Sequence, residues 1–244
     1  MEEVVGARVG VPEPKYYAVK RHLLELIGSL SPGSLVPTER VLTAELHTSR
    51  TTVRRALSEL VGEGRLVRRQ GSGTYVAEPK ISWPLRMTSF TEQASSSGYS
   101  TSTRLLEATR TRAEDDIADK LKLRPGAPSY YIERLRLVDG TPMAVETSHL
   151  SAKQFPGLIG ELRRKSSLYR VLSDTYGVRP VEAEETIETA SASPREAGLL
   201  EVDTGAPILV LSRHSFDADG EPIEYVRSWY RGDRYTFVAR LSAP

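Results

Sequence analysis

The sequence predicts an α+β chain of two domains, in which three short helices and a β-hairpin precede a larger strand-rich domain. Three observations carry this prediction. Val53, Ala56, Leu57, Leu60 and Val61 recur at the helical period, with basic residues opposite them. Gln70-Gly71-Ser72-Gly73 separates two short β-prone runs, as a hairpin turn does. Beyond residue 85 longer extended runs break at Asp139-Gly140 and Asp219-Gly220, both hairpin signals.

Taken in order, residues 1–14 contain glycine and proline and read as a loose arm. From Tyr16 to about Leu30 a helix places Val19, Leu23, Leu26, Ile27 and Leu30 on one face, and Ser31-Pro32-Gly33 ends it. Thr38 is placed to cap a second helix carrying Val41, Leu42 and Leu46. After a turn at His47-Thr48, Ser49 caps a third helix that Gly62-Glu63-Gly64 stops. Its apolar back opposes Thr51, Arg54, Arg55 and Ser58, with Arg50 at the N-terminal edge. Leu66–Arg69 and Thr74–Val76 form the hairpin, so residues 15–77 compose a winged helix-turn-helix. Residues 78–85 hold two prolines without periodicity and read as a linker.

Residues 86–244 form the second domain. Strands are predicted at Tyr130–Val138, Met143–His149, Val178–Ala190, Ile208–Phe216, Pro222–Tyr230 and Tyr235–Leu241. Ser167–Tyr176 reads as a helix. Ser193-Pro194-Arg195-Glu196 is a capping box with proline at the first helical position, opening a short helix through Leu200. Asp115-Asp116 suits the first turn of another.

Composition narrows the function. With no cysteine the chain has neither a disulfide framework nor thiolate chemistry, which fits a reducing cytoplasmic setting. No apolar run approaches the roughly 18 residues of a membrane helix, and MEEVVGARVG lacks the layout of a signal peptide. A cytoplasmic chain without a membrane partner is expected. The net charge of +1 is uninformative, but its distribution is not: six arginines and two glutamates lie between Ser49 and Arg69. That is the electrostatic footprint of a DNA-facing surface. Arginine can give guanine a bidentate pair of hydrogen bonds, while Thr and Ser reach phosphates or base edges. A solvated arginine-rich face would carry the same composition. The preceding helix, the short turn and the hairpin in register favour the groove-facing helix.

In the second domain Arg134 and Arg136 of "YYIERLRL" point to the same face of a strand. Their charges repel unless an anion or carboxylates lie between them, so a phosphate clamp and a pair of surface ion pairs are both open readings. "ETSHL" supplies Glu146, and "PIEYVRSWYRGDRY" supplies Glu224 and Tyr230. "SSLY" offers Ser167 and Tyr169 at a helix start, where backbone N–H groups favour anions. Gly71-Ser72-Gly73 lacks the Lys-Ser/Thr of a nucleotide-binding loop. The four histidines have no metal-ligand spacing. No catalytic residue, metal or cofactor is assigned.

Residues 36–76, "VPTERVLTAELHTSRTTVRRALSELVGEGRLVRRQGSGTYV", resemble the DNA-binding domain of GntR-type bacterial transcription regulators. His47 stands where many members carry a smaller residue or glycine. The resemblance implies that Arg40, Ser49, Arg50, Thr51, Thr52 and Arg54 touch DNA, with Gln70 and Gly71 at the wing tip. "MTSFTE", "RLR", "PMAVETSHLSAKQFP", "SSLY", "EAEETIETA", "SPREAGLL" and "YVRSWYRGDRYTFVARL" lie in the order found in the HutC subfamily. Its effector domain, known as UTRA, has a chorismate-lyase-like mixed α/β fold. Within that subfamily the chain is most similar to the NagR/DasR-type regulators of amino-sugar use. This implies a homodimeric, ligand-responsive regulator, not an enzyme, that binds double-stranded operator DNA. Its effector would be glucosamine 6-phosphate or N-acetylglucosamine 6-phosphate. Ser89, Phe90, Arg134, Arg136, Glu146, Ser167, Tyr169, Glu224 and Tyr230 would line the effector site. The arginines, Ser167 and Tyr169 would hold phosphate, and Glu146 and Glu224 would accept from hydroxyls or the amine. A different anionic effector, or an enzyme of the same fold tethered to DNA, are the alternatives.

Overall fold

The apolar stripe read from the sequence is the core of the first of two compact units, which divide between Pro79 and Lys80. The computed structural model describes residues 14–69, 71–165 and 167–241. The expected arm lies outside these residues except for Pro14, which immediately precedes α1 (Lys15–Gly28).

Thr38 accepts from the Val41 N–H at 3.4 Å and opens α2 (Glu39–Glu45). Ser49 accepts from the Thr52 N–H at 3.1 Å and opens α3 (Arg50–Gly62). Val53, Ala56, Leu57 and Leu60 of α3 are buried against Val19 and Leu23 of α1 and Leu42 of α2. Each fully buried Val or Leu contributes about 1.5–3 kcal/mol of transfer free energy, so this stripe fixes the orientation of α3. The turn between α2 and α3 places His47 at φ 47°, a left-handed conformation that favours glycine. The antiparallel strands β1 (Leu66–Arg69) and β2 (Gly73–Val76) complete the unit. Gly73 adopts φ 132°, a conformation that residues with a side chain rarely take, so glycine suits this corner of the hairpin.

The second unit opens one element earlier than the sequence predicts. Residues 81–84 are not linker: Ile81–Pro84 form β3, parallel to the C-terminal strand β10 (Tyr235–Val238). The cause is burial. Trp83 is fully buried, with its ring edge-on to Phe90 and Tyr235 at centroid distances of 5.0 Å. The last strand is correspondingly shorter than predicted, ending at Val238 rather than Leu241. Next come α4 (Phe90–Ser96), β4 (Thr101–Arg112), α5 (Asp115–Lys120), β5 (Pro128–Val138), β6 (Thr141–Ser151), α6 (Leu158–Arg164) and α7 (Leu168–Tyr176). They are followed by β7 (Glu182–Ser191), α8 (Pro194–Leu200), β8 (Pro207–Phe216) and β9 (Pro222–Arg231). Six strands form one antiparallel sheet in the order β4-β5-β6-β9-β8-β7.

Each face of this sheet carries its own apolar cover. On one face α8 packs its Ala197 and Leu200 against Leu135, Val145 and Val210, and α5 adds a smaller cluster beside Tyr225. On the other face α6 and α7 cover Tyr130, Ile132 and Leu150. The rest of that face lies under α4 and the β3–β10 pair, through Trp83, Phe90, Tyr230 and Tyr235. Between these two covers the sheet keeps an opening.

Candidate functional site

Strand alternation determines what lines that opening. Arg134 on β5 stands opposite Glu146 on β6, which stands opposite Ser228 on β9. One row along, Arg136 faces Ala144, which faces Tyr230. Arg213 on β8 faces Val226 on one side and Glu185 on the other. The result is a small cavity open to solvent on one side. All nine residues expected in the effector site line it: Ser89, Phe90, Arg134, Arg136, Glu146, Ser167, Tyr169, Glu224 and Tyr230. Glu224 and Tyr230 lie six residues apart, roughly 20 Å of extended strand, and Val226 and Ser228 line the cavity between them.

The two arginines are clamped by a carboxylate, and the ion pairs are buried rather than on the surface. Arg134 Nη2 donates to Glu146 Oε1 and, at 2.9 Å, to Ser148 Oγ. Arg136 Nη2 reaches the same Glu146 oxygen at 2.9 Å, and its Nη1 reaches Thr103 Oγ1 at 2.9 Å. Burial alone would raise the Glu146 carboxyl, but the two guanidinium charges overcome it and hold it at about 2. Arg134 is lowered by burial and by Arg136 beside it.

Several donors and acceptors remain unused. Arg134 Nε and Nη1 and Arg136 Nε are buried with no hydrogen-bond partner, and both Glu224 oxygens lack a partner of good geometry, with the Ser148 hydroxyl the near group that favours their charged form. Burial raises the Glu224 carboxyl, with Arg134 acting against the shift and Glu146 adding to it. Burial likewise pushes the Tyr169 hydroxyl up to about 12, helped by Glu224. A wall with spare cationic donors beside a spare carboxylate suits a ligand that carries both an anion and a hydrogen-bond donor.

Ser89 and Ser167, besides lining the cavity, cap helices. Ser89 forms a capping box with Glu92 at the start of α4, and Ser167 accepts from the Arg170 N–H at 3.4 Å to cap α7. Their hydroxyl hydrogens remain available at the cavity mouth. Sequence reasoning missed Glu185 and Arg213, which form a fork-to-fork pair with two hydrogen bonds of 3.0 Å in the cavity wall. The signal was the alternation of "EAEETIE" against "LSRHSF", which sets Glu185 and Arg213 on one face.

In the first unit Arg40, Arg50, Thr51 and Arg54 are exposed. Ser49 and Thr52 bind each other through their hydroxyls at 2.8 Å as part of the α3 cap. Arg55 lies over the Tyr16 ring at 3.9 Å and braces α1. Gly71 at the hairpin tip adopts φ 71°, and Gln70 lies outside the described residues.

Comparison with known proteins is consistent in both units. Residues 15–76 match the model of bacterial regulatory proteins of the gntR family, and residues 96–236 match the UTRA domain. The chain is 38% identical over 229 residues to the HTH-type transcriptional repressor PhnF of Mycolicibacterium smegmatis, covering 94% of this chain and 93% of that one. It is 36% identical over 230 residues to the HTH-type transcriptional repressor NagR of Bacillus subtilis, covering 93% and 94%. The crystal structure of PhnF from Mycobacterium smegmatis matches at a TM-score of 0.67, covering 93% of this chain and all of that one.

Proposed function

Because the chain belongs to the gntR family of bacterial regulatory proteins and carries a UTRA domain, we propose that it is a cytoplasmic transcriptional repressor whose grip on an operator is modulated by a phosphorylated amino sugar. It is a transcription regulator, not an enzyme. The effector reading rests on one observation: unpaired Arg134 and Arg136 donors share a buried cavity with the unpaired carboxylate of Glu224. Glucosamine 6-phosphate carries a phosphate for the first and an ammonium for the second. Similarity to NagR supports the same class. Arg40, Ser49, Arg50, Thr51, Thr52 and Arg54, with Gln70 and Gly71 of the hairpin, are proposed to contact DNA. One recognition helix reads few bases, so the protein acts as a homodimer on half-sites about one helical turn apart.

The test is calorimetric titration with glucosamine 6-phosphate, N-acetylglucosamine 6-phosphate, glucosamine and glucose 6-phosphate, alongside an electrophoretic operator shift. Arg134→Lys keeps the positive charge but cannot make a bidentate bond. It should lower affinity for the phosphorylated sugar tenfold or more, the cost of about one charge-assisted contact, and leave the operator shift of ligand-free protein unchanged. Equal wild-type affinity for glucosamine and its 6-phosphate would end the phosphate reading. Light scattering should show residues 80–244 as a dimer.

A further inference from the structure

Glu39, the first residue of α2, reaches across to α3. Its carboxylate accepts from Arg54 Nε at 3.2 and 3.3 Å and from Nη2 at 2.9 Å. A guanidinium is a planar fork with five N–H donors. Occupying its Nε side leaves Nη1 and the outer hydrogen of Nη2 pointing away from Glu39. That end-on pair is the one that fits guanine O6 and N7 in the major groove. The Arg54 side chain is 64% exposed, and among the described residues its hydrogen bonds go to Glu39 alone, so Glu39 is what holds its long chain in one rotamer.

Glu39 is also a negative charge in a basic neighbourhood. Its hydrogen bond to Arg54 holds the carboxyl below the usual range, and the charges of Arg54, Arg68 and Arg50 act in the same direction. An ionised carboxylate on a phosphate-facing surface weakens sequence-independent attraction to DNA. We infer that Glu39 is a positioning and specificity-determining residue: it fixes the Arg54 fork for a guanine and reduces binding to DNA of any other sequence. This rests on the proposed assignment of Arg54 to a base edge.

The experiment is selection from a random duplex library by the full chain, by Glu39→Gln, by Arg54→Ala and by the double variant that combines them, each also measured on mixed-sequence DNA. Arg54→Ala should abolish preference for a G·C pair at one position in each half-site. Glu39→Gln should lower preference at that same pair by about tenfold, the scale of one bidentate contact, while binding mixed-sequence DNA more tightly. The double variant should show no further loss at that pair. Wild-type preference in Glu39→Gln would overturn the inference, as would an equal loss at every position, because a local clamp affects one base pair. Unchanged preference in Arg54→Ala would instead overturn the assignment of Arg54 itself.

Discussion

Arg213 and Glu185 face each other across β8 and β7 and are joined by two parallel hydrogen bonds of 3.0 Å inside the cavity wall. Burial alone would lower the arginine, but Glu185 raises it well above its ordinary value. The side chains are 19% and 16% exposed, so the pair falls between surface and fully buried ion pairs. Arg213→Ala should cost about 2–3 kcal/mol, between the ~0–1 of exposed pairs and the ~3–5 of buried ones. Arg213→Ala combined with Glu185→Ala should cost less than Arg213→Ala alone, because no charge is then stranded. Chemical denaturation of the two variants beside wild type tests this.

Glu146 and Glu224 give opposite pH signatures. Glu146, held at about 2 against an ordinary 4.5, favours folding above about pH 4.5, and this contribution is lost as pH falls toward 2. Glu224 is raised, so its proton is bound more tightly in the folded state. It costs nothing at low pH and destabilises increasingly as pH climbs from 4.5 through its folded value. Glu224→Gln should therefore raise the melting midpoint of the ligand-free protein near pH 7, because the neutral amide carries no cost of ionisation in the buried site. Near pH 3.5 it should change little. Thermal melting across this range reads both effects, and Glu146→Gln should lower the midpoint at pH 7.

Trp83 places the boundary of the effector unit. A fragment beginning at Lys80 retains β3, whereas one beginning at Arg86 loses Ile81 and Trp83 from the aromatic cluster. Trp83→Ala should cost about 3–5 kcal/mol, and the shorter fragment should bind hydrophobic dye and melt without a cooperative transition. Differential scanning calorimetry separates the two fragments.

His47 carries strain that glycine would relieve. Its φ of 47° costs a residue with a Cβ about 1 kcal/mol. His47→Gly should raise stability by about 0.5–1 kcal/mol, partly offset by glycine's greater freedom when unfolded. A lower midpoint in urea would contradict this.

Legibility in the sequence followed the range of the interactions. The α3 stripe and its Ser49 cap are local, and residues 49–62 were read nearly to the residue. Arg134 and Arg136 were correctly placed on one face by a period of two. What lies between them depends on a strand 12 residues away, so anion and carboxylate could not be distinguished; Glu146 fills the gap and donors are still left over. β3 was hidden because it is four residues long, follows closely on Pro79 and ends on Pro84, and is paired with a strand more than 150 residues further on. β4 escaped because it is a largely exposed edge strand without apolar alternation. α4 announced itself through Ser89-x-x-Glu92, a capping-box signal that the functional reading of Ser89 obscured.

The β3–β10 pairing also imposes an order on biosynthesis. β3 emerges from the ribosome directly after the DNA-binding unit, whose core needs only residues already made. Its hydrogen-bond partner is synthesised about 150 residues later, which at roughly 5–20 residues per second is a delay of about 8–30 s. Until then Ile81 and Trp83 lack the strand that pairs with theirs, and Trp83 lacks the Tyr235 ring that packs on it. The nascent chain thus completes α3 well before it can enclose the cavity. Chaperone protection of the segment around Trp83 is the natural counterpart of that delay.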